Sequence, residues 1–247
     1  MLAKAAILCG GEGTRLRPLS SYFQKTMIPI GHSRRPLLEY SVRLMVYHGI
    51  RDLTLLCGYK AEEIENYFGD GARFGARIRY SMDPKPSAGS AQALMNAIKG
   101  GKVGSFDDLI VYYGDVLSLL DAKALLRHKH KSRAAASLVL SRNFTIPVGV
   151  AEVRKDRVTG FAEKPRVNMN VTMGCLAISK SCIPILKEAT LGGASKDLMT
   201  HFVPKLIGSG LKVVPYFMEG FWYDVGTTEA YERLDIGRLE ESFKFLG

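Results

Sequence analysis

Glycines and basic side chains are concentrated in one short segment near the start of the chain. Residues 10–18 read GGEGTRLRP, and Lys25 follows ten residues after Arg15. Adjacent glycines allow a tight turn and a close approach of the backbone to a ligand. Backbone N–H groups at the exit of a strand, with arginine and lysine nearby, are suited to binding phosphate groups. The segment therefore predicts a phosphate-binding loop.

Two well-known phosphate-binding loops differ from this one at defined positions. Leu16 occupies the place of the third glycine in the dinucleotide fingerprint, and no Gly-Lys-Ser or Gly-Lys-Thr follows, as a Walker loop requires. The glycines alone would fit an ordinary tight turn. Arg15, Lys25 and Pro29, in this order after the glycines, favour a binding site instead.

Strands and helices that must position these residues alternate over the first half of the chain. The predicted strands are residues 4–9, 53–57, 77–81 and 109–113. The predicted helices are residues 37–48, 61–68, 91–98 and 121–131, the last with Asp121 as N-cap. Alternation of this kind is typical of parallel strands with helices on both faces of the sheet.

The second half of the chain is richer in strands. Strands are predicted at residues 135–140, 148–153, 158–162, 171–178 and 212–217, and helices at residues 183–189, 196–207 and 228–239. Thr227 or Thr228 is the expected cap of the last helix. We predict a single α/β domain over residues 1–247, a Rossmann-like three-layer α/β/α fold with a mixed, mostly parallel central sheet.

The composition excludes several classes of protein. The 247 residues are 47% hydrophobic and 23% charged, which is typical of a globular chain rather than a disordered one. No apolar run approaches the roughly 18 residues of a membrane span. The four cysteines form no CxxC pair, so neither a zinc site nor a disulfide framework is indicated, and we expect a cytoplasmic protein. The net charge of +10 would attract nucleic acid, membranes or small phosphorylated ligands.

Four motifs together resemble those of the sugar-1-phosphate nucleotidylyltransferases. They are GGEGTRLRPLS with KTMIPI at residues 10–20 and 25–30, Tyr-Gly-Asp at 113–115, GFAEKP at 160–165 and FWYDVGT at 221–227. The order of the motifs matches, and the resemblance covers nearly the whole chain. It implies a glycosyltransferase-A-like nucleotidyltransferase fold. In that fold residues 1–133 would form the nucleotide-binding half and residues 134–247 the sugar-phosphate-binding half.

The resemblance implies transfer of a nucleoside monophosphate from a nucleoside triphosphate to a sugar 1-phosphate, with release of pyrophosphate. The sugar phosphate is itself an adequate nucleophile, so the reaction needs positioning and charge neutralisation rather than a covalent intermediate. Mg²⁺, bound by hard carboxylate and phosphate oxygens, fits this need. Asp115 and Asp224, each at or just after a predicted strand end, are the expected ligands. A glycine–aspartate pair taken alone would fit an ordinary turn.

The resemblance also implies roles for individual side chains. Arg15 would hold the departing pyrophosphate, and Lys25 would neutralise the phosphates near the transferred group. Lys164 would hold the phosphate of the sugar, and Glu163 would accept hydrogen bonds from its hydroxyls. The implied catalytic residues are Arg15, Lys25 and Asp115. The implied nucleotide-binding residues are Cys9, Gly10, Gly11, Gly13, Thr14, Asp83, Gly89 and Ser90. The implied substrate-binding residues are Gln92, Gly149, Glu163, Lys164 and Gly174.

The sequence leaves the nucleobase and the sugar open. Residues 87–93 match the family's nucleotide loop, and Asp83 either accepts hydrogen bonds from guanine or is a solvated turn residue. Thr172 and Leu176 stand where asparagine and tyrosine are common in the family, which weakens a prediction of glucose. GTP with mannose 1-phosphate or a heptose 1-phosphate is one pairing. UTP, dTTP or CTP with other sugar phosphates are the others.

Two other functions compete with this one. A non-catalytic regulatory subunit on the same fold would lose charged catalytic positions, whereas Arg15, Lys25 and Asp115 are all present. A nucleic-acid-binding protein would use the charge of +10, but gives no reason for the paired aspartates. We expect no nucleic-acid or membrane partner, and the resemblance makes a homodimer an expectation.

Two further expectations concern the residues after the last motif and the basic run at residues 128–131. Only 23 residues follow Asp224, so we expect no left-handed β-helix domain of the kind that many members of the family carry. Residues 128–131 read HKHK and are predicted to form a solvated basic face of a helix rather than a metal site.

Overall fold

A seven-stranded sheet forms the centre of the protein in the computed structural model, which describes residues 2–83, 89–142, 144–146, 148–192 and 195–247. The strands of the described residues are β1 (Ala3–Leu8), β2 (Pro29–Ile30), β3 (Arg35–Pro36), β4 (Asp52–Cys57), β5 (Arg77–Met82), β6 (Asp108–Tyr113), β7 (Val116–Ser118), β8 (Ala136–Ser141), β9 (Phe144–Thr145), β10 (Val150–Arg154), β11 (Arg157–Ala162), β12 (Arg166–Val167), β13 (Val171–Ser179), β14 (Val213–Phe217) and β15 (Trp222–Asp224). The central sheet has the order β14-β8-β13-β6-β1-β4-β5.

One strand of this sheet runs against the others. β13 pairs antiparallel with both β6 and β8, whereas the β1–β4, β1–β6, β4–β5 and β8–β14 pairs are parallel. The predicted mixed, mostly parallel sheet is therefore confirmed. Because the carboxyl ends of β1, β4 and β6 meet at one edge of the sheet, the loops that follow them lie side by side.

Helices cover both faces of the sheet. They are α1 (Leu19–Tyr22), α2 (Leu37–Tyr47), α3 (Ala61–Phe68), α4 (Ser90–Lys99), α5 (Ala122–Lys131), α6 (Ile183–Ala189), α7 (Val203–Gly208), α8 (Thr228–Glu232) and α9 (Ile236–Phe243). Alternate residues of β1 point into two separate cores: Ile7 packs with side chains of α2, α3 and α5, and Ala6 packs with side chains of α4, α6 and α7. This is the predicted three-layer α/β/α arrangement.

A short two-stranded sheet places the second aspartate beside the first. β15 pairs antiparallel with β7, so that Asp224 lies opposite Val116. The backbone N–H of Val225 donates a hydrogen bond to the carbonyl oxygen of Asp115 at 3.0 Å. Residues that are more than 100 positions apart in the chain are thus neighbours at the end of the central strand β6. β7 and β15 have only three residues each, too few for periodicity to predict them.

Two predicted helices differ from the observed ones. The predicted helix at 228–239 is two helices, α8 and α9, each with its own N-cap: Thr227 accepts from the N–H of Ala230, and Asp235 from that of Arg238. The predicted helix at 196–207 begins as a π-helical turn, Leu198–Phe202, before α7. Among the described residues, no helix combines the length and the apolar character that crossing a membrane requires.

The basic run at residues 128–131 is not a solvated face throughout, and that prediction is wrong for Lys129. Its side chain is 2% exposed, and its Nζ lies 2.6 Å from Oδ1 of Asp108, which is 1% exposed. His130 Nε2 lies 2.7 Å from the other oxygen of the same carboxylate. Asp108 is the first residue of β6, so this ion pair joins α5 to the sheet at the end opposite to the glycine-rich loop.

Candidate active site

A cleft of about 230 Å³ opens at the carboxyl ends of β1, β4 and β6. It contains six of the eight predicted nucleotide-binding residues together with two of the predicted catalytic residues. The lining residues are Leu8, Cys9, Gly10, Gly11, Lys25, Thr26, Leu56, Cys57, Asp83, Gly89, Ser90, Ala93, Tyr113 and Asp115. Residues from five separate parts of the sequence therefore meet in one cleft, as the order of the strands requires.

The glycine-rich loop leaves β1 and turns over Lys25. Gly13 has a φ of 66°, in the left-handed region that favours glycine, and a Cβ added to it would lie 2.9 Å from Cβ of Lys25. The hydroxyl of Ser20 donates to the carbonyl oxygen of Gly13 at 2.8 Å. By contrast, a Cβ on Gly11 would meet no atom within 4 Å, because this residue faces the open cleft. Thr14 is exposed in the turn Thr14–Leu16 and is not among the lining residues.

Gln24 holds the glycine-rich loop in place through hydrogen bonds, although no motif in the sequence predicted this role. The side chain is fully buried, and its Nε2 donates to the carbonyl oxygen of Cys9 at 2.6 Å. Its Oε1 accepts from the N–H and the hydroxyl of Thr26 at 2.6 and 2.7 Å. These hydrogen bonds satisfy the buried amide of Gln24 and fix the loop relative to the segment that carries Lys25. The position of Gln24 directly before Lys25 is the only signal that the sequence offers for it.

Lys25 and Asp115 are in direct contact across the cleft. The Nζ of Lys25 donates to Oδ2 of Asp115, and the two side chains are 13% and 18% exposed. An ion pair with this little exposure is screened much less than one at the surface. The contact places a cation and a carboxylate at the end of the central strand, next to the glycine-rich loop.

Asp224 is the second carboxylate of this site. Partial removal from water raises its pKa above the ordinary value, and the neighbouring carboxylate of Asp115 raises the pKa further, while Lys25 and Arg15 oppose the shift. Two carboxylates that repel each other at a cleft mouth are a favourable setting for a divalent cation. The predicted pair of Asp115 and Asp224 is therefore brought together.

Arg15 approaches the same place from the glycine-rich loop. A Cβ added to Gly226 would lie 2.9 Å from Oδ1 of Asp224 and 3.5 Å from Nη2 of Arg15, so both side chains flank this glycine. The hydroxyl of Thr228 contacts the carbonyl oxygens of Arg15 and Arg17 at 3.3 and 3.2 Å. The loop and the segment after β15 are thus held against each other. The guanidinium itself remains exposed.

Cys9 and Cys57 form the floor of the cleft at the ends of β1 and β4. Their sulfur atoms are 3.7 Å apart, and both side chains are buried. Burial raises the pKa of the Cys9 thiol well above its usual value, and the neighbouring Cys57 raises the pKa further. Since the thiolate is the nucleophilic form, Cys9 is a small neutral wall residue rather than a reactive group.

The predicted sugar-side residues lie on separate elements. Glu163 and Lys164 follow β11 and are exposed, and Lys164 has a φ of 47°. Gly149 precedes β10, and a Cβ added to it would come within 3.0 Å of Oε2 of Glu163. These three residues are therefore together, but none of them lines the 230 Å³ cleft.

Two other predicted substrate-binding residues lie elsewhere. Gln92 is on α4, where its Nε2 donates to Oδ1 of Asn96 at 2.8 Å. Gly174 has a φ of 65°, and a Cβ on it would lie 3.2 Å from Cβ of Tyr113. Gly174 is therefore the one of the five that packs directly against a residue of the cleft. Residues 87–88 of the predicted nucleotide loop are outside the described residues.

The residues at the mouth of the cleft fit a magnesium ion. In the described part of the chain no three His, Cys, Asp or Glu side chains cluster as metal ligands. Mg²⁺ does not need such a cage, because it is commonly bound by one or two carboxylates, with waters and substrate phosphates completing the octahedron. Asp115 and Asp224 supply that donor set, and their mutual repulsion is what a divalent cation relieves.

The fold and the cleft define an α/β protein with a glycine-rich loop and a carboxylate pair at one sheet edge. The nucleotidyl transferase family model matches residues 4–238, and the chain belongs to this family. The resemblance inferred from the four motifs is thereby confirmed.

Curated relatives at about 30% identity carry three different substrate names. The UTP–glucose-1-phosphate uridylyltransferase of Synechocystis sp. is 30% identical, over 98% of this chain and 64% of its own length. The glucose-1-phosphate thymidylyltransferase of Streptomyces antibioticus is 30% identical, over 95% of this chain and 65% of its own length. The mannose-1-phosphate guanylyltransferase of Mycobacterium tuberculosis is 30% identical, over 93% of this chain and 62% of its own length. The chain thus spans a little under two thirds of the length of these relatives.

Similarity to a solved structure supports the fold. A crystal structure of a protein from Bacillus anthracis, assigned as a glucose-1-phosphate thymidylyltransferase in complex with sucrose, superposes with a TM-score of 0.72 at 22% identity. The match covers 99% of this chain and 95% of that one. The predicted Rossmann-like nucleotidyltransferase fold is therefore confirmed.

Proposed function

We propose that the protein transfers a nucleoside monophosphate from a nucleoside triphosphate to a sugar 1-phosphate, releasing pyrophosphate. The observation that carries the proposal is the group formed by Lys25, Asp115 and Asp224 at the mouth of a glycine-lined cleft. A nucleic-acid-binding surface or a regulatory subunit would not require this group. The family to which the chain belongs supports the same reaction.

The chemistry of the step needs no covalent intermediate. An oxygen of the sugar phosphate attacks the α-phosphorus of the triphosphate, the bond to the β-phosphate oxygen breaks, and pyrophosphate leaves in line. Lys25 neutralises charge near the transferred phosphoryl group, and Arg15 binds the departing pyrophosphate. Their contribution is positioning and electrostatic stabilisation in a partly dehydrated cleft.

Asp115 and Asp224 are the residues that would hold a magnesium ion. When bound, Mg²⁺ neutralises phosphate charge and orients the triphosphate. Lys25 donates to Asp115, so it keeps this carboxylate directed at the cleft. Both residues offer carboxylate oxygens as ligands, and for this reason we propose that the transfer reaction depends on magnesium.

The base would lie between the glycine-rich loop and the Gly89–Ser90 turn. Gly10, Gly11, Asp83 and Gly89 all line the cleft. An acidic Asp83 in this place favours guanine, whose N1–H and N2–H₂ groups both donate hydrogen bonds. Among the relatives, the Mycobacterium tuberculosis protein is named for transfer of a guanylyl group. We therefore propose GTP as the first triphosphate to test.

The sugar phosphate would bind on the second half of the chain, residues 134–247, with the nucleotide on residues 1–133. Glu163 lies next to Gly149 in space, and Lys164 follows Glu163 in the sequence. One small surface therefore carries a carboxylate, the backbone of a glycine and a cation. None of these three residues lines the 230 Å³ cleft, so the proposed sugar-phosphate surface is separate from the proposed nucleotide site. The relatives' names include both glucose and mannose, and the choice between them is left to experiment.

Location and assembly are part of the proposal. We place the protein in the cytoplasm, because its four cysteines are free and buried and nucleoside triphosphates are available there. We also propose a homodimer, which light scattering of the purified protein tests.

Pyrophosphate release by the purified chain alone tests the proposed reaction. We expect release that requires both a triphosphate and a sugar 1-phosphate, and that a chelator of divalent cations abolishes. A regulatory subunit would show no release in any combination, yet would still bind nucleotide.

A further inference from the structure

One aspartate from the second half of the chain contacts the nucleotide side of the cleft. Asp197 is half-buried and directly precedes the π-helical turn Leu198–Phe202. Its Oδ1 accepts hydrogen bonds from the N–H groups of Met199 and Thr200, at 2.7 and 3.2 Å. Half of the carboxylate is therefore an N-cap of this turn.

The other carboxylate oxygen of Asp197 is bound to two residues of the cleft wall. Oδ2 accepts a hydrogen bond from the hydroxyl of Ser90 at 2.6 Å and one from the hydroxyl of Tyr113 at 3.4 Å. Ser90 is the first residue of α4, and Tyr113 is the last residue of β6, two positions before Asp115. One carboxylate thus connects the nucleotide loop with the strand that carries a predicted metal ligand.

The backbone makes the same connection beside it. The N–H of Ala91 donates to the carbonyl oxygen of Lys196 at 2.9 Å. Gly89 has a φ of 92°, and a Cβ on it would lie 2.4 Å from that same oxygen. The turn at residues 89–91 is therefore fitted against residues 196–197 at a distance that only glycine permits.

The hydroxyl of Ser90 acts both as a donor and as an acceptor in this arrangement. Its single proton goes to Asp197, one lone pair accepts from the N–H of Leu198 at 2.9 Å, and the hydroxyl of Tyr113 lies 3.2 Å away. The single proton of this hydroxyl is therefore committed to Asp197 and is not available to a nucleotide in the cleft.

We propose that Asp197 is a positioning residue for the nucleoside triphosphate. By holding Ser90 and Tyr113 in one place, it fixes the wall against which the base and ribose bind before the ligand arrives. A preorganised wall increases affinity because the loop does not have to be ordered on binding. The proposal rests on the proposed function only in assigning the cleft to a nucleoside triphosphate.

The substitution Asp197→Asn tests this role. The amide oxygen can still cap the turn, but the NH₂ group then faces the donating hydroxyl of Ser90. We expect the dissociation constant for the preferred triphosphate, measured by calorimetry, to rise about tenfold, as expected for losing one charged hydrogen bond. In turnover assays the KM for the triphosphate should rise similarly, with the KM for the sugar 1-phosphate unchanged.

A matched control separates positioning from capping. Asp121 is also an N-cap, of α5, where it accepts from the N–H of Ala124 at 2.8 Å, and it does not line the cleft. Asp121→Asn should change thermal stability but neither KM. In a second pair, Ser90→Ala should reproduce the effect of Asp197→Asn on triphosphate binding, and Ser90→Thr, which keeps the hydroxyl, should largely restore it.

Three results would overturn the proposal. They are an unchanged triphosphate affinity in Asp197→Asn, an equal rise in both KM values, and a fall in kcat alone. Because calorimetry measures triphosphate binding without turnover, the Asp197 proposal is tested even if the wild-type chain transfers no nucleotide. Failure of the proposed reaction and failure of this inference are therefore distinguishable.

Discussion

At the scale of single residues, the proposed site depends on two carboxylates that belong to distant parts of the sequence. Asp115 follows β6, and Asp224 ends β15, which pairs with β7. Partial burial raises the pKa of Asp224, and the neighbouring carboxylate of Asp115 raises it further. We propose that a divalent cation would offset this repulsion.

We expect Asp115→Asn and Asp224→Asn each to reduce kcat for pyrophosphate release at least about a hundredfold, a loss typical for removing a group that stabilises the transition state. The amide is isosteric, so the far-ultraviolet circular dichroism of both variants and the melting temperature of Asp224→Asn should stay close to those of the wild type. Asp115→Asn also removes the ion-pair partner of Lys25, so its circular dichroism is the measure of an intact fold. Glu229→Gln, at an exposed position five residues after Asp224, is the matched control and should be fully active. Full activity in either aspartate variant would remove the metal assignment.

At the scale of elements, much of the architecture was predictable from periodicity. The helix predicted at residues 61–68 is observed as α3 (Ala61–Phe68), and the one at 183–189 as α6 (Ile183–Ala189). Strands β1, β4 and β6 differ from prediction by about one residue at an end, because they are continuous runs of buried apolar side chains. Such elements carry their own signal, whatever they pack against.

Short elements were not predictable, and they are the ones that complete the site. β7 and β15 are three residues long, and only their pairing brings Asp224 to Asp115. The π-helical turn before α7 owes its start to the Asp197 cap and its contacts with Ser90, more than 100 positions away in the chain. Local sequence does not encode such a contact, so motif resemblance predicted Asp224 whereas nothing predicted Asp197.

The glycine-rich loop allows a prediction for one element. Gly11→Ala adds a methyl group that meets no protein atom within 4 Å and lies in the cleft. We expect the free energy of unfolding to change by less than about 0.5 kcal/mol. The KM for the triphosphate should rise about tenfold, since the methyl group occupies ligand space.

A second glycine provides the control for this substitution. Gly208, at the end of α7, also has no atom within 4 Å of an added Cβ, and it is remote from the loop in sequence. Gly208→Ala should leave both stability and KM close to the wild-type values. An unchanged KM in Gly11→Ala would mean that the triphosphate does not bind against this loop.

At the scale of the whole molecule, the basic residues behind the net charge of +10 have different roles. Lys25 is in the cleft, whereas Lys129 is buried against Asp108 at the opposite end of β6. Composition and helical periodicity gave no sign that Lys129 was paired, because its partner is 21 positions away on a strand. A charge count therefore overstates the positive surface that is available to an anionic ligand.

The buried pair should matter for stability and not for catalysis. Asp108→Asn leaves Lys129 without a counter-charge in a site that is 2% exposed, and we expect a loss of about 3–5 kcal/mol in urea unfolding. Arg77→Gln breaks the Arg77–Asp52 pair, in which the arginine side chain is 76% exposed, and should cost about 1 kcal/mol or less. Both changes lie at the amino ends of strands, so both variants should keep the wild-type KM values. Equal losses of stability in the two variants would show that burial of the Lys129 pair has no energetic consequence.

Transfer of a nucleoside monophosphate to a sugar 1-phosphate is tested by a matrix of substrate pairings. The purified chain is incubated with Mg²⁺ and each pairing of five nucleoside triphosphates with a panel of sugar 1-phosphates. Pyrophosphate release is recorded, and the product is identified by mass spectrometry. The account predicts release in a small subset of pairings, with GTP among the active triphosphates and a nucleoside diphosphate sugar formed in equal amount. Absence of release in every pairing, in a preparation that still binds triphosphate, would contradict the claim.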